Sequence, residues 1–305
     1  MSRATKVFVP LALFAAVATA AGHFFPPVKL FALKASGRSP ECPMPNALQA
    51  AANLQLQIKY KDQILNASKL VEKDPAGFHL WDTPKGRWWI PEGDDFVLPF
   101  NLAEQERKIY GTGEQDVQKG DVVLDCGANV GVFTRLSLDR GARLVVAIEP
   151  APENIESLKR NFKDEIAAGK VIVYEKGVWD KDDTLLLKRD PNNTAADSFV
   201  MLKDGSKGVN VPLTTIDKLV AELKLDKVDY IKMDIEGAEQ RALTGGLATI
   251  GKFHPHLSLS AYHMPDDPMK IPEIVKKAWP GYKMECGPCA ETDDHRIRPD
   301  VLYFR

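Results

Sequence analysis

Short apolar segments alternate with amphipathic segments along the C-terminal two thirds of the chain. The apolar segments lie at residues 122–124, 144–148, 171–174, 228–233 and 257–259. Helix-forming stretches at 151–162 and 216–223 separate some of them, and Thr214 and Thr215 are candidate N-caps of the second stretch. Short buried strands separated by helices predict a doubly wound α/β fold, in which helices cover both faces of a parallel sheet.

The two ends of the chain depart from this alternation. Near the C-terminus, "YKMEC" and "DVLYF" have no helical segment between them and predict an antiparallel pair that closes the sheet. Residues 47–70 have helical spacing, and the aromatic segment "GFHLWDTPKGRWWIPEGDDFVLPF" contains turns typical of one or two hairpins. We therefore predict an N-terminal cap over residues 42–115 and a main domain over residues 116–305.

The first residues have the pattern of a targeting segment. Arg3 and Lys6 precede an apolar run at 7–21 that ends in small residues, as in a secretory signal. The run is shorter than the roughly 20 residues that span a bilayer, although "HFFPPVKLFAL" could extend it. A cleaved signal, an uncleaved anchor and a buried helix all fit. Residues 1–28 are assigned to a signal or membrane anchor, and residues 29–41 to a linker.

Composition and charge are those of an ordinary globular protein. The 305 residues are 44% apolar and 27% charged, and the formal net charge is −2. This charge gives no bulk electrostatic attraction to nucleic acid, so no nucleic-acid partner is expected.

Four cysteines are too few to imply a disulfide scaffold. Cys286-Gly-Pro-Cys289 has the spacing of a redox dithiol but comes late in the chain; a structural or metal-binding pair with His295 and a plain turn are the alternatives.

The turn after the first predicted strand indicates a bound nucleoside. In "VVLDCGANVG", Gly127, Asn129 and Gly131 tolerate unusual backbone angles, which lets the main chain approach a ligand at a helix N-terminus. A tight strand-to-helix turn would also use glycine. The next strand ends in Glu149, 22 positions after Gly127, where dinucleotide-binding folds place the acid that binds a ribose hydroxyl. Together these features predict a nucleoside-bearing cofactor.

Asp125 distinguishes between such cofactors. It directly precedes the turn, where a carboxylate repels a diphosphate and attracts a cation. S-adenosylmethionine carries an ammonium and a sulfonium group and no phosphate, so it is the predicted cofactor. An NAD(P)-dependent oxidoreductase and a non-catalytic binding module on the same fold are the alternatives.

Four segments resemble the FkbM family of S-adenosylmethionine-dependent methyltransferases. They are "VVLDCGANVGVFTRL", "VVAIEPAPENIESLKRNF", "LTTIDKL" and "VDYIKMDIEGAEQRAL", within roughly residues 121–255. The resemblance implies a Rossmann-like class I methyltransferase fold with a mostly parallel seven-stranded sheet, and O-methylation of a hydroxyl on a sugar or a secondary-metabolite-like acceptor. By position it also implies a cofactor site, in which Asp125, Gly127, Asn129 and Gly131 bind the methionine part, Glu149 the ribose, and Gly177, Val178 and Trp179 the adenine.

Candidate catalytic residues follow the fourth and fifth predicted strands. Asp234 ends the strand "DYIKMD" at the carboxyl edge of the sheet, and Glu236 and Glu239 come next. These carboxylates could act as a base or hold a divalent metal ion, although Glu239 also suits the start of a helix. Tyr262 and His263 reach the same edge, and His263 is a candidate proton acceptor. We predict Asp234, Glu236 and His263 as catalytic residues and assign no metal ligands.

The cofactor also bears on location and partners. Because S-adenosylmethionine is made in the cytosol, we expect an uncleaved N-terminal membrane anchor with a cytosolic catalytic domain; export after signal cleavage is the alternative. The expected partner is a small molecule or glycan that offers a hydroxyl.

Overall fold

A seven-stranded sheet forms the centre of the computed structural model, which describes residues 26–37, 41–188, 197–201, 208–291 and 296–305. In spatial order its strands are β12 (Met284–Cys286), β15 (Val301–Phe304), β11 (His256–Ser260), β10 (Tyr230–Met233), β4 (Val122–Cys126), β5 (Leu144–Ile148) and β6 (Val171–Tyr174). The strands from β11 to β6 pair in parallel, whereas β15 is antiparallel to both β11 and β12. The predicted mostly parallel sheet and its antiparallel C-terminal pair are confirmed.

Helices cover both faces of this sheet, which explains why almost every residue of its central strands β4, β5, β10 and β11 is buried. They are α4 (Val132–Asp139), α5 (Pro152–Asn161), α6 (Lys163–Ala167), α7 (Ile216–Glu222), α8 (Glu239–Thr244), α9 (Leu247–Phe253) and α10 (Asp267–Ala278). Leu124 and Ile231 pack with the apolar side chains of α7 to α10, and Val123 and Tyr230 pack against Phe133 of α4 on the opposite face. Successive side chains of each buried strand therefore serve opposite helical layers.

The ends of the predicted helices are close to those observed. Thr215 is the N-cap of α7, and its side-chain oxygen accepts a hydrogen bond from the Lys218 backbone N–H at 3.1 Å. The stretch predicted over 47–70 stops three residues early, because a strand begins at Lys69.

The N-terminal part places a helical pair and a small antiparallel sheet beside the main sheet. Its elements are α1 (Pro26–Ala35), α2 (Met44–Ala67), β1 (Lys69–Asp74), β2 (Phe78–Thr83), β3 (Gly86–Pro91) and α3 (Val97–Glu106). The hairpin prediction is confirmed by β2 and β3, in which Trp81 lies opposite Trp88. The side chain of Asn161, at the end of α5, hydrogen-bonds both the N–H and the carbonyl of Trp89. The domain boundaries themselves remain a prediction.

Two further strand groups extend the fold. A three-stranded sheet contains β7 (Gly177–Val178), β8 (Asp183–Lys188) and β9 (Gly208–Thr214), and a hairpin contains β13 (Cys289–Glu291) and β14 (Ile297–Pro299). Cys289 of that hairpin forms a disulfide with Cys42, 247 positions away. Cys286 instead donates a hydrogen bond to the Glu41 carbonyl at 3.2 Å. The bond of Cys289 therefore joins distant segments, rather than closing a dithiol with Cys286, and His295 lies outside the described residues.

The lengths and compositions of the described helices contradict the predicted membrane anchor. Within the described ranges, no helix combines the length and the apolarity needed to cross a bilayer. The first described helix, α1, has 10 residues and includes Lys29 and Lys34. Residues 1–25, which contain most of the predicted signal or anchor segment, lie outside the described residues.

Candidate functional site

Two cavities meet at the carboxyl ends of the central strands. The larger cavity, of about 430 Å³, lies between α3 and the loops after β4 and β10. The narrow cleft, of about 60 Å³, lies beside the end of β5. Gly127, Asn129, Asp234 and Glu236 line both of them. A ligand in the narrow cleft and a second ligand in the larger cavity would therefore approach each other at these four residues.

Glu149 organises the narrow cleft. One of its carboxylate oxygens accepts the Asn129 backbone N–H at 2.8 Å, and the other accepts the Ala151 N–H at 3.0 Å. Burial raises the pKa of Glu149, while these donors act against the shift. Gly177 and Val178 line the same cleft. The structure thus brings most of the predicted cofactor residues together.

Three predicted cofactor residues lie behind the cleft rather than on its surface. Trp179 is buried in an apolar cluster, and Gly131 lies against Phe162. Asp125 is fully buried, accepts a hydrogen bond from the Thr134 hydroxyl at 2.7 Å and lies 3.4 Å from the ammonium of Lys232. Its negative charge is therefore paired inside the protein.

Lys232 is the buried cation of this region. Its ammonium donates to the Gly127 carbonyl at 2.9 Å, and its side chain is 6% exposed. Burial alone would lower the pKa of Lys232, but Asp125 and Asp234 outweigh this effect and raise it. Burial raises the pKa of Asp125, and Lys232 limits that rise. Sequence spacing alone did not reveal this pairing, which changes the electrostatic role expected for Asp125.

Gly127 is required by a contact within the chain. It has a φ of +78°, and a Cβ at this position would overlap the main-chain carbonyl oxygen of Asp234. The close approach that its spacing indicated is therefore made to the loop after β10, whether or not a ligand is bound. This contact sets the position of Asp234 relative to the turn.

Gly127→Ala should lower the free energy of unfolding by clearly more than about 2 kcal/mol, because a left-handed conformation alone costs an ordinary residue roughly 1–2 kcal/mol and the added methyl group also overlaps a main-chain atom. Gly77→Ala is the matched control, because Gly77 has a φ of +86° and a methyl group added there would meet no atom within 4 Å. Urea unfolding of both variants measures the difference. Equal losses would contradict a packing role for Gly127.

Asp234 is the centre of a hydrogen-bonded cluster. Tyr110 donates its hydroxyl to one carboxylate oxygen at 2.6 Å, and the Tyr262 hydroxyl lies 3.4 Å from the other. Burial by itself would raise the pKa of Asp234, but Lys232, His263 and the Tyr110 hydroxyl outweigh burial and lower it. Asp234 is consequently ionised beside the larger cavity at neutral pH.

His263 is held by a buried carboxylate. Its Nδ1 lies 2.9 Å from Glu239, which is fully buried and also accepts the backbone N–H groups of Ile235 at 2.8 Å and Gly237 at 3.0 Å. Burial would lower the pKa of His263, but Glu236 and Glu239 outweigh it and raise it. Glu239 therefore stabilises the turn before α8 and orients the imidazole at the same time.

Glu236 completes the cluster. Its backbone φ of +52° is unusual for a residue with a side chain, and its carbonyl accepts the Ser198 hydroxyl at 2.6 Å. The Nε2 atom of His263 lies 3.4 Å from Asp234 Oδ1 and 3.5 Å from Glu236 Oε1. The three predicted catalytic residues are thus neighbours.

The N-terminal part contributes two site residues that sequence reasoning missed. Tyr110 follows α3, and Glu104 of α3 lines the larger cavity. Burial, followed by the charge of Asp234, raises the pKa of Glu104 to about 8. No motif marks either residue, since both reach the site only through the packing of α3 over the sheet.

A glycine-containing turn after the first strand of the sheet, an acid after the second and an antiparallel last pair are together typical of a Rossmann-like methyltransferase fold. The family model described as "Methyltransferase FkbM domain" matches residues 125–282, just over half of the chain. The chain belongs to this family, and the FkbM resemblance of its sequence is confirmed.

The individual relatives share less than 30% of their residues with this chain. The chain is 28% identical to the 31-O-demethyl-FK506 methyltransferase FkbM of Streptomyces tacrolimicus, over 43% of this chain and 61% of that one. It is 24% identical to the hexuronic acid methyltransferase AglP of Haloferax volcanii, in an alignment that covers 54% of this chain and 69% of that one. The crystal structure of an FkbM methyltransferase from Methylobacillus flagellatus superimposes with a TM-score of 0.47 and 18% sequence identity. The match covers 84% of this chain and 60% of that one. The chain thus spans less than two thirds of the FK506 relative.

Proposed function

We propose that this protein transfers a methyl group from S-adenosylmethionine to a hydroxyl of a small molecule or sugar. The main support is the junction of the two cavities, where Asp234 and Glu236 line both. A donor in the narrow cleft and an acceptor in the larger cavity would meet beside an ionised carboxylate. The names of the FK506 and hexuronic acid relatives agree with an acceptor of this class.

The residues that line the narrow cleft suit the donor, although the cleft of about 60 Å³ must widen to admit a nucleoside. The side-chain amide nitrogen of Asn129 is buried and, among the described residues, has no hydrogen-bond partner, so it can donate to a ligand. Glu149 presents a carboxylate where a ribose would be bound, with Gly177 and Val178 beside it. When bound, S-adenosylmethionine would supply a methyl group that its sulfonium already activates.

The larger cavity has features that suit the acceptor. Its wall includes the apolar side chains of Phe96, Val97, Phe100 and Val132. Asp234 can accept the proton of a hydroxyl, while Tyr110 orients its carboxylate by donating a hydrogen bond at 2.6 Å and the Tyr262 hydroxyl lies 3.4 Å from the other oxygen. Glu104, which is largely protonated at neutral pH because of its raised pKa, can donate to an acceptor oxygen. We propose that the N-terminal cap thereby contributes to acceptor selection.

Membership of the FkbM family favours methyl transfer over the alternative of an NAD(P)-dependent oxidoreductase. A non-catalytic module on the same fold is the remaining alternative. The expectation that no nucleic acid binds stays a prediction.

Calorimetry and turnover test the proposal together. We expect S-adenosylhomocysteine to bind and NAD not to bind, and we expect release of S-adenosylhomocysteine when a hydroxylated acceptor from a panel of sugars and macrocyclic alcohols is present. Binding of NAD alone would contradict the proposed donor. Binding of S-adenosylhomocysteine without turnover across the panel would favour the binding module.

A further inference from the structure

We infer that Asp234, Glu236 and His263 form a binding site for a divalent metal ion. One ligand atom from each residue lies within 4.8 Å of the other two. Neither the family match nor the relatives' names assign such a site. Metal binding is independent of the methyl acceptor, whereas any catalytic use of the metal ion rests on the proposed function.

The spacing of the three atoms suits one shared ion. His263 Nε2 is 3.4 Å from Asp234 Oδ1 and 3.5 Å from Glu236 Oε1. Adjacent ligand atoms of an octahedral ion with bonds of about 2.1–2.3 Å lie roughly 3.0–3.3 Å apart. Movements of a few tenths of an ångström would therefore bring His263 Nε2 to the separation from each carboxylate oxygen that a shared ion requires, and the two oxygens lie within 4.8 Å of each other. The same separations exceed the usual 2.7–3.2 Å of an N–H···O hydrogen bond.

The imidazole is oriented for coordination. Glu239 accepts backbone N–H groups on both of its oxygens, so its carboxylate acts as an acceptor towards His263 Nδ1 at 2.9 Å. With the Nδ1 proton held by Glu239, a metal ion would bind the lone pair of Nε2 and displace any proton there, because second-shell carboxylates orient metal-binding histidines in this way. Nε2 is buried and has no hydrogen-bond partner among the residues that the structure describes. The His263 side chain is 2% exposed.

The local charge is also suited to a metal ion. Asp234, Glu236 and Glu239 surround a single imidazole. Lys232 offsets part of this negative charge, but its ammonium is shared with Asp125 and donates to the Gly127 carbonyl. Carboxylates held together away from water need positive charge to balance them. A divalent metal ion between them would supply it.

Two carboxylates and one imidazole favour an ion that accepts mainly oxygen ligands, and Mn²⁺ is the probe of choice among these. Asp234 and Glu236 line both cavities, so an ion that they held would lie at the junction of the two, within reach of a hydroxyl in the larger cavity. A hydroxyl bound there would lose its proton more readily, because a metal ion lowers the pKa of a bound oxygen.

Manganese titration of the full-length, chelator-treated protein tests the site, with free Mn²⁺ followed by electron paramagnetic resonance. We expect one tightly bound ion per chain, and weakening of at least tenfold in His263→Ala and in Glu236→Gln. Glu239→Gln should weaken binding about 10–100-fold, as loss of a second-shell carboxylate does. His256→Ala is the control, because His256 lies at the opposite end of β11 and should leave binding unchanged.

Either of two results would overturn the inference. One is that the wild-type protein binds no stoichiometric Mn²⁺, and the other is that the His263→Ala and Glu236→Gln variants bind it as tightly as the wild-type protein does. Circular dichroism checks that each variant folds, and Glu236→Gln decides the matter if His263→Ala does not fold. Binding of S-adenosylhomocysteine, measured with and without Mn²⁺, keeps the outcomes separate: Mn²⁺ binding without methyl transfer would refute only the proposed function. Full turnover in excess chelator would refute the catalytic use of the metal ion.

Discussion

Asp234→Asn should lower kcat by about 10²–10⁴-fold, the usual contribution of a positioned acid–base group. Asparagine can still accept the hydrogen bond that Tyr110 donates at 2.6 Å, so the cluster should keep its shape. It cannot take up the proton of an acceptor hydroxyl, and it lacks the negative charge that the lowered pKa of Asp234 maintains at neutral pH. Initial rates of S-adenosylhomocysteine release measure the effect once an acceptor is identified.

The matched control is Asp139→Asn, because Asp139 is an exposed aspartate at the end of α4, away from both cavities. Its kcat should stay at the wild-type value. Calorimetry with S-adenosylhomocysteine should show that Asp234→Asn still binds the product, which separates a loss of chemistry from a loss of the cofactor. Wild-type turnover by Asp234→Asn would remove Asp234 from the mechanism.

Lys232→Met should destabilise the protein by about 3–5 kcal/mol, the range for removing one partner of a buried ion pair. Lys232 and Asp125 are both buried and lie 3.4 Å apart, so the substitution leaves a carboxylate without its cation. The Gly127 carbonyl also loses its donor. Urea unfolding at constant pH measures the loss.

Three comparisons make this prediction specific. Adding Asp125→Asn to Lys232→Met should restore part of the stability, because the buried charge is then removed together with its partner. The deficit of the single variant should shrink as the pH falls, since Asp125 can then become neutral by binding a proton. Lys218→Met, at an exposed ion pair with Asp182, should change stability little. An equal effect of Lys232→Met and Lys218→Met would contradict the buried role of Lys232.

Local sequence determined the main elements of this fold. The strands predicted at 144–148 and 171–174 have those bounds in the structure, and the N-cap at Thr215 is present. Continuous apolar runs predict buried parallel strands because both faces of such strands are covered, which is a local consequence of burial. The carboxyl edge of the sheet could likewise be located, since each residue that ends a strand there can be read from the chain.

Contacts between distant segments were not readable in this way. The disulfide joins Cys42 to Cys289 across 247 positions, and nothing in the spacing of the four cysteines indicates that pairing. Glu104 and Tyr110 reach the larger cavity because α3 packs over the loops after β4 and β10. Asp125 shows the same limit, because its partner Lys232 lies on the neighbouring strand β10.

The sequence by itself determined the five parallel strands in their chain order, the antiparallel C-terminal pair, the family, and the positions of Asp234, Glu236 and His263 at one edge of the sheet. The tertiary structure alone decided which of these groups touch: it oriented His263 on Glu239, paired Asp125 with Lys232 and joined the two cavities at Asp234. The physical reason is that backbone propensity and periodic burial act over a few neighbouring residues. Charge pairing and desolvation instead depend on distances in space between segments that are far apart in the chain.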